Sequence, residues 1–179
     1  LSVVELTIPQ LFLEVSLLNI AVNAYIFSIV PEFTMRFLIW LLSHSMYRVE
    51  HRDLQRIPDE GAALLVCNHV SFVDALLIAG AIRRPIRFVM YYKIYNLPVL
   101  NFVFRTAGAI PIAGRSEDEA IHERAFAGIA EVLAAREVVC IFPEGKLTAD
   151  GEIDEFKGGV KRILRETPVP VIPLALQGL

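Results

Sequence analysis

Hydrophobic positions at the front of the chain form two long, nearly uninterrupted segments. The 17 residues from Val15 to Pro31 carry no charge, and the segment from Phe33 to Val49 is almost as apolar, although it contains Arg36. A helix that crosses a bilayer needs about 20 apolar residues. The pattern therefore predicts two helices, broken at Pro31, that lie in or on a membrane and together form a segment over residues 1–47. An ordinary buried helical hairpin is the alternative.

Beyond residue 48 the hydrophobic pattern changes to short apolar runs separated by more polar segments. Five of these runs are short enough, and rich enough in apolar residues, to be buried strands. They are Ala62–Cys67, Arg87–Tyr92, Ala109–Ile112, Val138–Phe142 and Val169–Leu176. The change of pattern indicates a second domain over residues 48–179, which we expect to be truncated at its C-terminus.

Two segments between these strands have the periodicity of amphipathic helices. The first covers Glu117–Arg136 and opens with a capping-box pattern at Ser116 and Glu119. The second covers Lys157–Glu166 and follows a turn signal at Asp150-Gly151. Strands that alternate with helices predict an α/β domain with a largely parallel central sheet flanked by helices. The N-terminal two-helix membrane-associating segment would precede it.

Composition and charge narrow the class of protein. The chain is 55% hydrophobic, above the usual ~45–50% of soluble domains, which argues against disorder. A net charge of −3 argues against a nucleic-acid partner, because phosphate neutralisation needs an excess of Lys and Arg. Residues 75–116 nevertheless contain no Asp or Glu but six cations, which are Arg83, Arg84, Arg87, Lys93, Arg105 and Arg115. This basic stretch suggests a surface for phosphate or anionic lipid, unless its members are simply solvated.

The segment Asn-His-Val-Ser-Phe-Val-Asp at 68–74 follows the strand that ends at Cys67. We expect a helix to begin near Ser71, so that His69 lies on a strand-to-helix turn, where α/β domains place their chemistry. Asp74 can then accept a hydrogen bond from Nδ1 of His69 and leave Nε2 available as a general base. The alternative is structural, because Ser71 and Asp74 also have the spacing of a capping box.

A second motif, Phe-Pro-Glu-Gly-Lys, occupies residues 142–146. Its proline ends a strand, which places Glu144 and Lys146 at the same edge of a parallel sheet as His69. Arg115 follows another strand, and arginine is the preferred planar donor to phosphate. The alternatives are a plain polar loop for the motif and a surface arginine paired with the acidic residues that follow it.

In this order and spacing, the motifs resemble those of the glycerolipid (lysophospholipid) acyltransferase family. Members carry an NHxxxxD motif, a second motif with a substrate-binding arginine, an FPEG motif and a fourth apolar motif with proline. The matching segments are Asn68–Asp74, Gly108–Arg115, Phe142–Gly145 and Val169–Pro173. The chain is particularly similar to the acyltransferase part of bacterial proteins that fuse this domain to a lysophospholipid transporter.

The resemblance implies an enzyme that moves a fatty acyl chain from acyl-CoA or acyl carrier protein to the free hydroxyl of a lysophospholipid or acylglycerol phosphate. His69 would be the general base and Asp74 would orient it. The acceptor would be held by Arg115, Glu144 and Gly145, and Lys146 would supply a positive charge where many members have Thr-Arg after FPEG. No metal and no cofactor other than the acyl co-substrate is implied.

The resemblance also implies a membrane-associated enzyme at the cytoplasmic face of the bacterial inner membrane, with membrane lipid as a partner. Two other functions fit the same residues. One is an ester or thioester hydrolase that uses the His69–Asp74 pair on water. The other is a non-catalytic lipid-binding membrane module.

Overall fold

The computed structural model describes residues 7–29, 31–98, 100–148 and 153–178. The turn expected at Asp150-Gly151 lies outside these residues. By its contacts the chain divides into two compact units, Leu1–Thr34 and Met35–Leu179. All five strands and all the motif residues belong to the second unit. The predicted domain boundary after residue 47 stays a prediction.

Two helices form the front of the chain, as the hydrophobic pattern predicts. Helix α1 covers Ile8–Ile29 and helix α2 covers Pro31–Met46. Pro31 is the first residue of α2, a position where proline is favoured because its missing N–H has no partner in the helix anyway. Large apolar side chains are exposed along α1, among them Ile8, Phe12, Leu18, Ile20 and Tyr25. No helix in the described part of the chain is long and apolar enough to cross a membrane.

The described residues of the second unit contain one sheet of five strands in the order β3-β2-β4-β1-β5. The strands are β1 (Ala63–Cys67), β2 (Ile86–Tyr91), β3 (Ile110–Ile112), β4 (Val138–Ile141) and β5 (Val171–Leu174). Every neighbouring pair is parallel. The predicted α/β fold with a largely parallel central sheet is thereby confirmed, and the order brings β4 and β5 to the two sides of β1.

Helices cover both faces of this sheet. They are α3 (Asp74–Ala81), α4 (Tyr92–Tyr95), α5 (Leu100–Thr106), α6 (Glu119–Ala134) and α7 (Gly159–Glu166), with a 3-10 turn at Leu54–Arg56. Strand β1 is buried along its whole length. Leu64 and Val66 pack with residues of α6 and α7, whereas Leu65 and Cys67 pack on the opposite face with residues of α3. A strand with two buried faces needs a continuous apolar run, as its sequence ALLVC shows.

Two predicted helix starts are wrong. Helix α3 begins at Asp74 rather than near Ser71, because the carboxylate of Asp74 binds the backbone N–H groups that precede the helix. Helix α6 is capped by Asp118, which accepts from Ile121 N at 2.9 Å, so the capping box expected at Ser116 is not formed. Helices α4 and α5 were not predicted, because both are too short to show a helical period.

Helix α2 packs closely on α3 at one point. Ser43 is buried, and a Cβ added to Gly80 would collide with its Oγ. The glycine therefore permits a close approach of the two helices that any larger residue would prevent. The Oγ of Ser43 donates to Trp40 O at 2.9 Å, so its hydroxyl is satisfied within α2.

Candidate active site

Three neighbouring strands deliver the motif residues to one edge of the sheet. His69 comes two residues after the end of β1, and Glu144 comes three residues after the end of β4. Because β1 lies between β4 and β5 and all three are parallel, their carboxyl ends meet at one edge. This is the location where open α/β sheets bind their ligands.

His69 and Asp74 form a hydrogen-bonded pair, as their spacing predicts. The Nδ1 of His69 lies 2.9 Å from Oδ2 of Asp74. The side chain of Asp74 is completely buried, whereas that of His69 is 22% exposed. An ionised carboxylate can only accept, so the proton of the neutral imidazole belongs on Nδ1 and Nε2 keeps a lone pair. The pair therefore has the arrangement of an oriented general base.

The carboxylate of Asp74 is held by the loop it organises. Its Oδ2 also accepts from the backbone N–H groups of Val70 and Ser71, at 2.8 and 3.0 Å. Asp74 therefore binds both the turn before α3 and the ring of His69, although Val73 rather than Ser71 is the N-cap residue of the helix. Its other oxygen, Oδ1, is buried and has no hydrogen-bond partner among the described residues.

The ring of His69 is also fixed from the side by the FPEG loop. Phe142 stacks on the imidazole with 4.1 Å between ring centroids and 20° between ring planes. Glu144 is buried, with 1% of its surface exposed, and its Oε1 accepts from the backbone N–H of His69 at 3.2 Å. Its Oε2 has no hydrogen-bond partner in the described part of the chain. As placed, Glu144 holds the backbone of the His69 loop, and its predicted contact with the acceptor stays a prediction.

Sequence reasoning missed two anchors of the same loop. The side-chain amide of Asn68 donates to Leu176 O at 3.0 Å and accepts from Leu176 N at 2.8 Å, which ties the end of β1 to the segment after β5. Thr148 donates both its N–H and its hydroxyl to His69 O, at 2.9 and 3.2 Å. The sequence signal for Asn68 is its place directly before His69, whereas nothing local marks Thr148.

The remaining predicted residues lie farther from the imidazole or face other partners. Gly145 has a φ of +64°, a left-handed conformation that favours glycine in this turn. Lys146 makes an ion pair with Asp154 at 2.6 Å. Arg115 is 72% exposed and pairs with Glu119 at 3.1 Å. It follows β3, which is three strands away from β1 or roughly 14 Å across the sheet, so the structure does not bring Arg115 beside His69.

Partners within the protein hold most cations of the basic stretch. Arg84 donates to the carbonyl oxygens of Pro58 and Gly61, both at 2.7 Å. Arg87 pairs with Glu137 at 2.6 Å, and Lys93 pairs with Glu117 at 2.8 Å. These contacts use the cations to hold loops and to neutralise acidic side chains, so the stretch offers less positive surface than its composition predicts.

The two cysteines are buried and do not act as nucleophiles in this geometry. Burial, together with the nearby carboxylates of Asp74 and Glu144, raises the pKa of Cys67 to about 12. Burial likewise holds the pKa of Cys140 well above its usual range. Both thiols are therefore protonated at neutral pH.

The site is thus a histidine that is hydrogen-bonded to a buried carboxylate, at the carboxyl edge of a parallel α/β sheet and beside an FPEG turn. The chain belongs to the acyltransferase family, whose family model matches residues 48–177. This confirms the resemblance inferred from the motifs.

Proteins related to this chain include named acyltransferases of lipid synthesis. The chloroplastic 1-acyl-sn-glycerol-3-phosphate acyltransferase of Brassica napus is 26% identical over 75% of this chain and 39% of its own length. The corresponding enzyme of Cocos nucifera is 28% identical over 81% of this chain and 45% of its own. The crystal structure of the 1-acyl-sn-glycerophosphate acyltransferase PlsC from Thermotoga maritima superposes with a TM-score of 0.57, at 26% identity, over 68% of this chain and 47% of that one. The chain thus spans less than half the length of these relatives.

Proposed function

We propose that the chain transfers a fatty acyl group from an acyl thioester to the free hydroxyl of an acylglycerol phosphate or another lysophospholipid, with His69 as general base. The observation that carries the proposal is the 2.9 Å contact between Nδ1 of His69 and the fully buried carboxylate of Asp74. Membership of the acyltransferase family and the names of the relatives support the substrate class.

The reaction proceeds through one proton transfer in each direction. Nε2 of His69 takes the proton of the acceptor hydroxyl, and the oxygen attacks the thioester carbonyl. The new C–O bond forms a tetrahedral intermediate, which collapses as the C–S bond breaks. The proton on Nε2 then passes to the departing thiolate, so that the products are an ester, a free thiol and neutral His69. Acyl-CoA or acyl carrier protein serves as co-substrate, and no metal or other cofactor takes part.

Asp74 and Phe142 make this base effective without touching the substrate. The carboxylate of Asp74 stabilises the positive imidazolium that forms when Nε2 takes the proton. Its two backbone hydrogen bonds keep it in place. The stacked ring of Phe142 limits the tilt of the imidazole, so Nε2 points in one direction. Orientation of this kind removes much of the entropic part of the barrier.

Both substrates are amphipathic, and we propose that the protein works at the cytoplasmic face of a membrane. The support comes from α1 and α2, which expose large apolar side chains such as Phe12, Leu18, Phe37 and Trp40. Helices with exposed apolar side chains can lie in the interfacial layer of a bilayer. Membrane lipid is thus a proposed partner as well as the source of the acceptor.

The test is an acyl-transfer assay with a panel of lysophospholipid acceptors and both kinds of thioester donor. His69→Ala should abolish transfer, while His51→Ala, which removes another exposed histidine, should leave it unchanged. Circular dichroism and thermal unfolding check that both variants fold. Undiminished transfer by His69→Ala would exclude the mechanism.

The same assay separates the two alternative functions. A hydrolase would release free fatty acid at the same rate with and without a lysophospholipid acceptor. A non-catalytic lipid-binding module would bind vesicles without turnover, and Asp74→Asn would not affect that binding. Neither function has an observation in its favour that acyl transfer lacks.

A further inference from the structure

Three exposed cations line one groove on the outer side of α7. Lys157 precedes the helix, and Lys161 and Arg165 lie on it one turn apart, about 6 Å along the axis. Among the described residues none of the three has a carboxylate partner. The contrast with Arg162 on the same helix is clear, because Arg162 pairs with both Glu123 and Glu166.

The floor of this groove is apolar. Phe156, Val160 and Leu164 line it between the cations, and its volume is about 530 Å³. The groove is shallow and open to solvent, and all its lining residues belong to α7 or to the segment directly before it. Phe156 is 54% exposed, so its aromatic side chain is accessible to a ligand. A planar heterocycle that carries several phosphate groups fits such a combination of aromatic ring and cations.

One end of the groove adjoins the candidate active site. The backbone N–H of Lys157 donates to Pro143 O in the FPEG loop at 2.9 Å. Its ammonium lies across Gly145, where an added Cβ would come within 2.6 Å of Nζ. A ligand anchored in the groove can therefore extend a flexible arm past this loop toward His69.

We propose that this groove, formed by Lys157, Lys161, Arg165 and Phe156, binds the phosphorylated adenosine end of an acyl-CoA donor. The acceptor carries a single phosphate ester, whereas coenzyme A carries a diphosphate, a 3′-phosphate and a purine. Three separated cations beside an exposed aromatic ring match the second set of groups. The inference rests on the proposed function only for the identity of the thioester, since nucleotide binding needs no turnover.

The first experiment measures the affinity for adenosine 3′,5′-bisphosphate by isothermal titration calorimetry. Lys157→Gln and Lys161→Gln should each weaken binding about tenfold, the effect of losing one charge-assisted contact. Arg52→Gln removes the same charge from a side chain that is 87% exposed elsewhere, and should bind like the wild type. Wild-type protein that does not bind the bisphosphate, or equal affinities in all four proteins, would overturn the proposal.

The second experiment uses two donors, palmitoyl-CoA and S-palmitoyl-N-acetylcysteamine, which lacks every phosphate. Lys157→Gln and Lys161→Gln should raise KM for palmitoyl-CoA about tenfold each. They should leave kcat/KM for the phosphate-free donor and KM for the acceptor unchanged. An increase in the acceptor KM alone would assign the cations to the acceptor phosphate, and an equal loss with both donors would show a structural role. Either result overturns the proposal.

Failure of the proposed function would look different. Bisphosphate binding that depends on Lys157 and Lys161, in a protein that transfers no acyl group, would support the nucleotide site and exclude the proposed acyltransferase activity. Acyl transfer that depends on His69 but works only with acyl carrier protein as donor, without bisphosphate binding, would support the proposed activity and exclude the nucleotide site.

Discussion

The unequal surroundings of the two carboxylate oxygens of Asp74 determine what Asp74→Asn should do. Oδ2 accepts from three N–H donors, whereas Oδ1 has no partner among the described residues. An asparagine has one oxygen and one NH₂ group to place in these two positions. Because the backbone N–H groups of Val70 and Ser71 need an acceptor, the amide oxygen should occupy the Oδ2 position and the NH₂ group the Oδ1 position.

This orientation sets the size of the effect on catalysis. The oxygen still accepts from Nδ1 of His69, so the imidazole keeps the tautomer in which Nε2 can act as a base. What is lost is the negative charge that stabilises the imidazolium, because a charged hydrogen bond is roughly twice as strong as a neutral one. A loss of about 2 kcal/mol corresponds to a decrease in kcat of about 30-fold. An inverted asparagine would instead fix the wrong tautomer, which costs about 10⁴-fold in the serine protease triad.

Two measurements distinguish these outcomes. Steady-state acyl transfer gives kcat for wild-type protein and Asp74→Asn, and ¹⁵N NMR of the His69 side chain identifies which ring nitrogen carries the proton. We expect a proton on Nδ1 in both proteins and the smaller loss of kcat. A proton on Nε2 together with a loss near 10⁴-fold would refute the reasoning from the hydrogen bonds of Oδ2.

Three further predictions concern the stability and ionisation of groups around the site. Gly80→Ala should lower the free energy of unfolding by about 1–3 kcal/mol, because its Cβ would collide with Ser43 Oγ. In chemical denaturation, the double variant with Ser43→Gly should lose less free energy of unfolding than the sum of the two single variants. Simple additivity would contradict the collision. The hydrogen bond from Lys146, with that from the backbone N–H of Glu155, lowers the pKa of Asp154. The stabilisation from this lowered pKa is present above the ordinary pKa of aspartate and is lost as the pH falls through the lowered value. Lys146→Gln should therefore raise the pKa of Asp154, which ¹³C NMR titration measures. An unchanged midpoint would exclude the contact. Cys67, with its pKa raised to about 12 chiefly by burial, should react with iodoacetamide at pH 9 only as fast as the fold opens, and labelling with a midpoint near pH 9 in the native protein would show that it is not buried.

The parts of the fold that depend on local pattern could be predicted from the sequence. The apolar run of β1 indicates a strand with two buried faces, and a spacing of five residues lets Asp74 reach His69 across one turn. Both are short-range consequences of backbone geometry. The motifs at residues 68–74 and 142–146 lie at one edge of the sheet because parallel strands place their carboxyl ends together, which the sequence also predicts.

Strand order and charge pairing could not be predicted in the same way. Nothing local shows that β3 lies at the edge of the sheet, so the sequence could not show that three strand positions separate the strand before Arg115 from the strand before His69. The charge of Arg87 is paired with that of Glu137, which is 50 residues distant in the chain. Residues 157–165 contain four cations and no Asp or Glu, but composition does not show which of them find partners. Arg162 pairs with Glu123, which is 39 residues distant, whereas Lys161 and Arg165 have no carboxylate partner in the described residues.

The link between Asn68 and Leu176 has a consequence for biosynthesis. The two residues are 108 positions apart, and β1 needs β5 as well as β4 for its hydrogen bonds. Contacts between such distant residues form late, because the intervening chain must first be ordered. A nascent chain on the ribosome therefore carries His69 and Asp74 long before the segment that anchors their loop has been synthesised. We expect the newly made protein to gain activity only after residue 176 has been released from the exit tunnel.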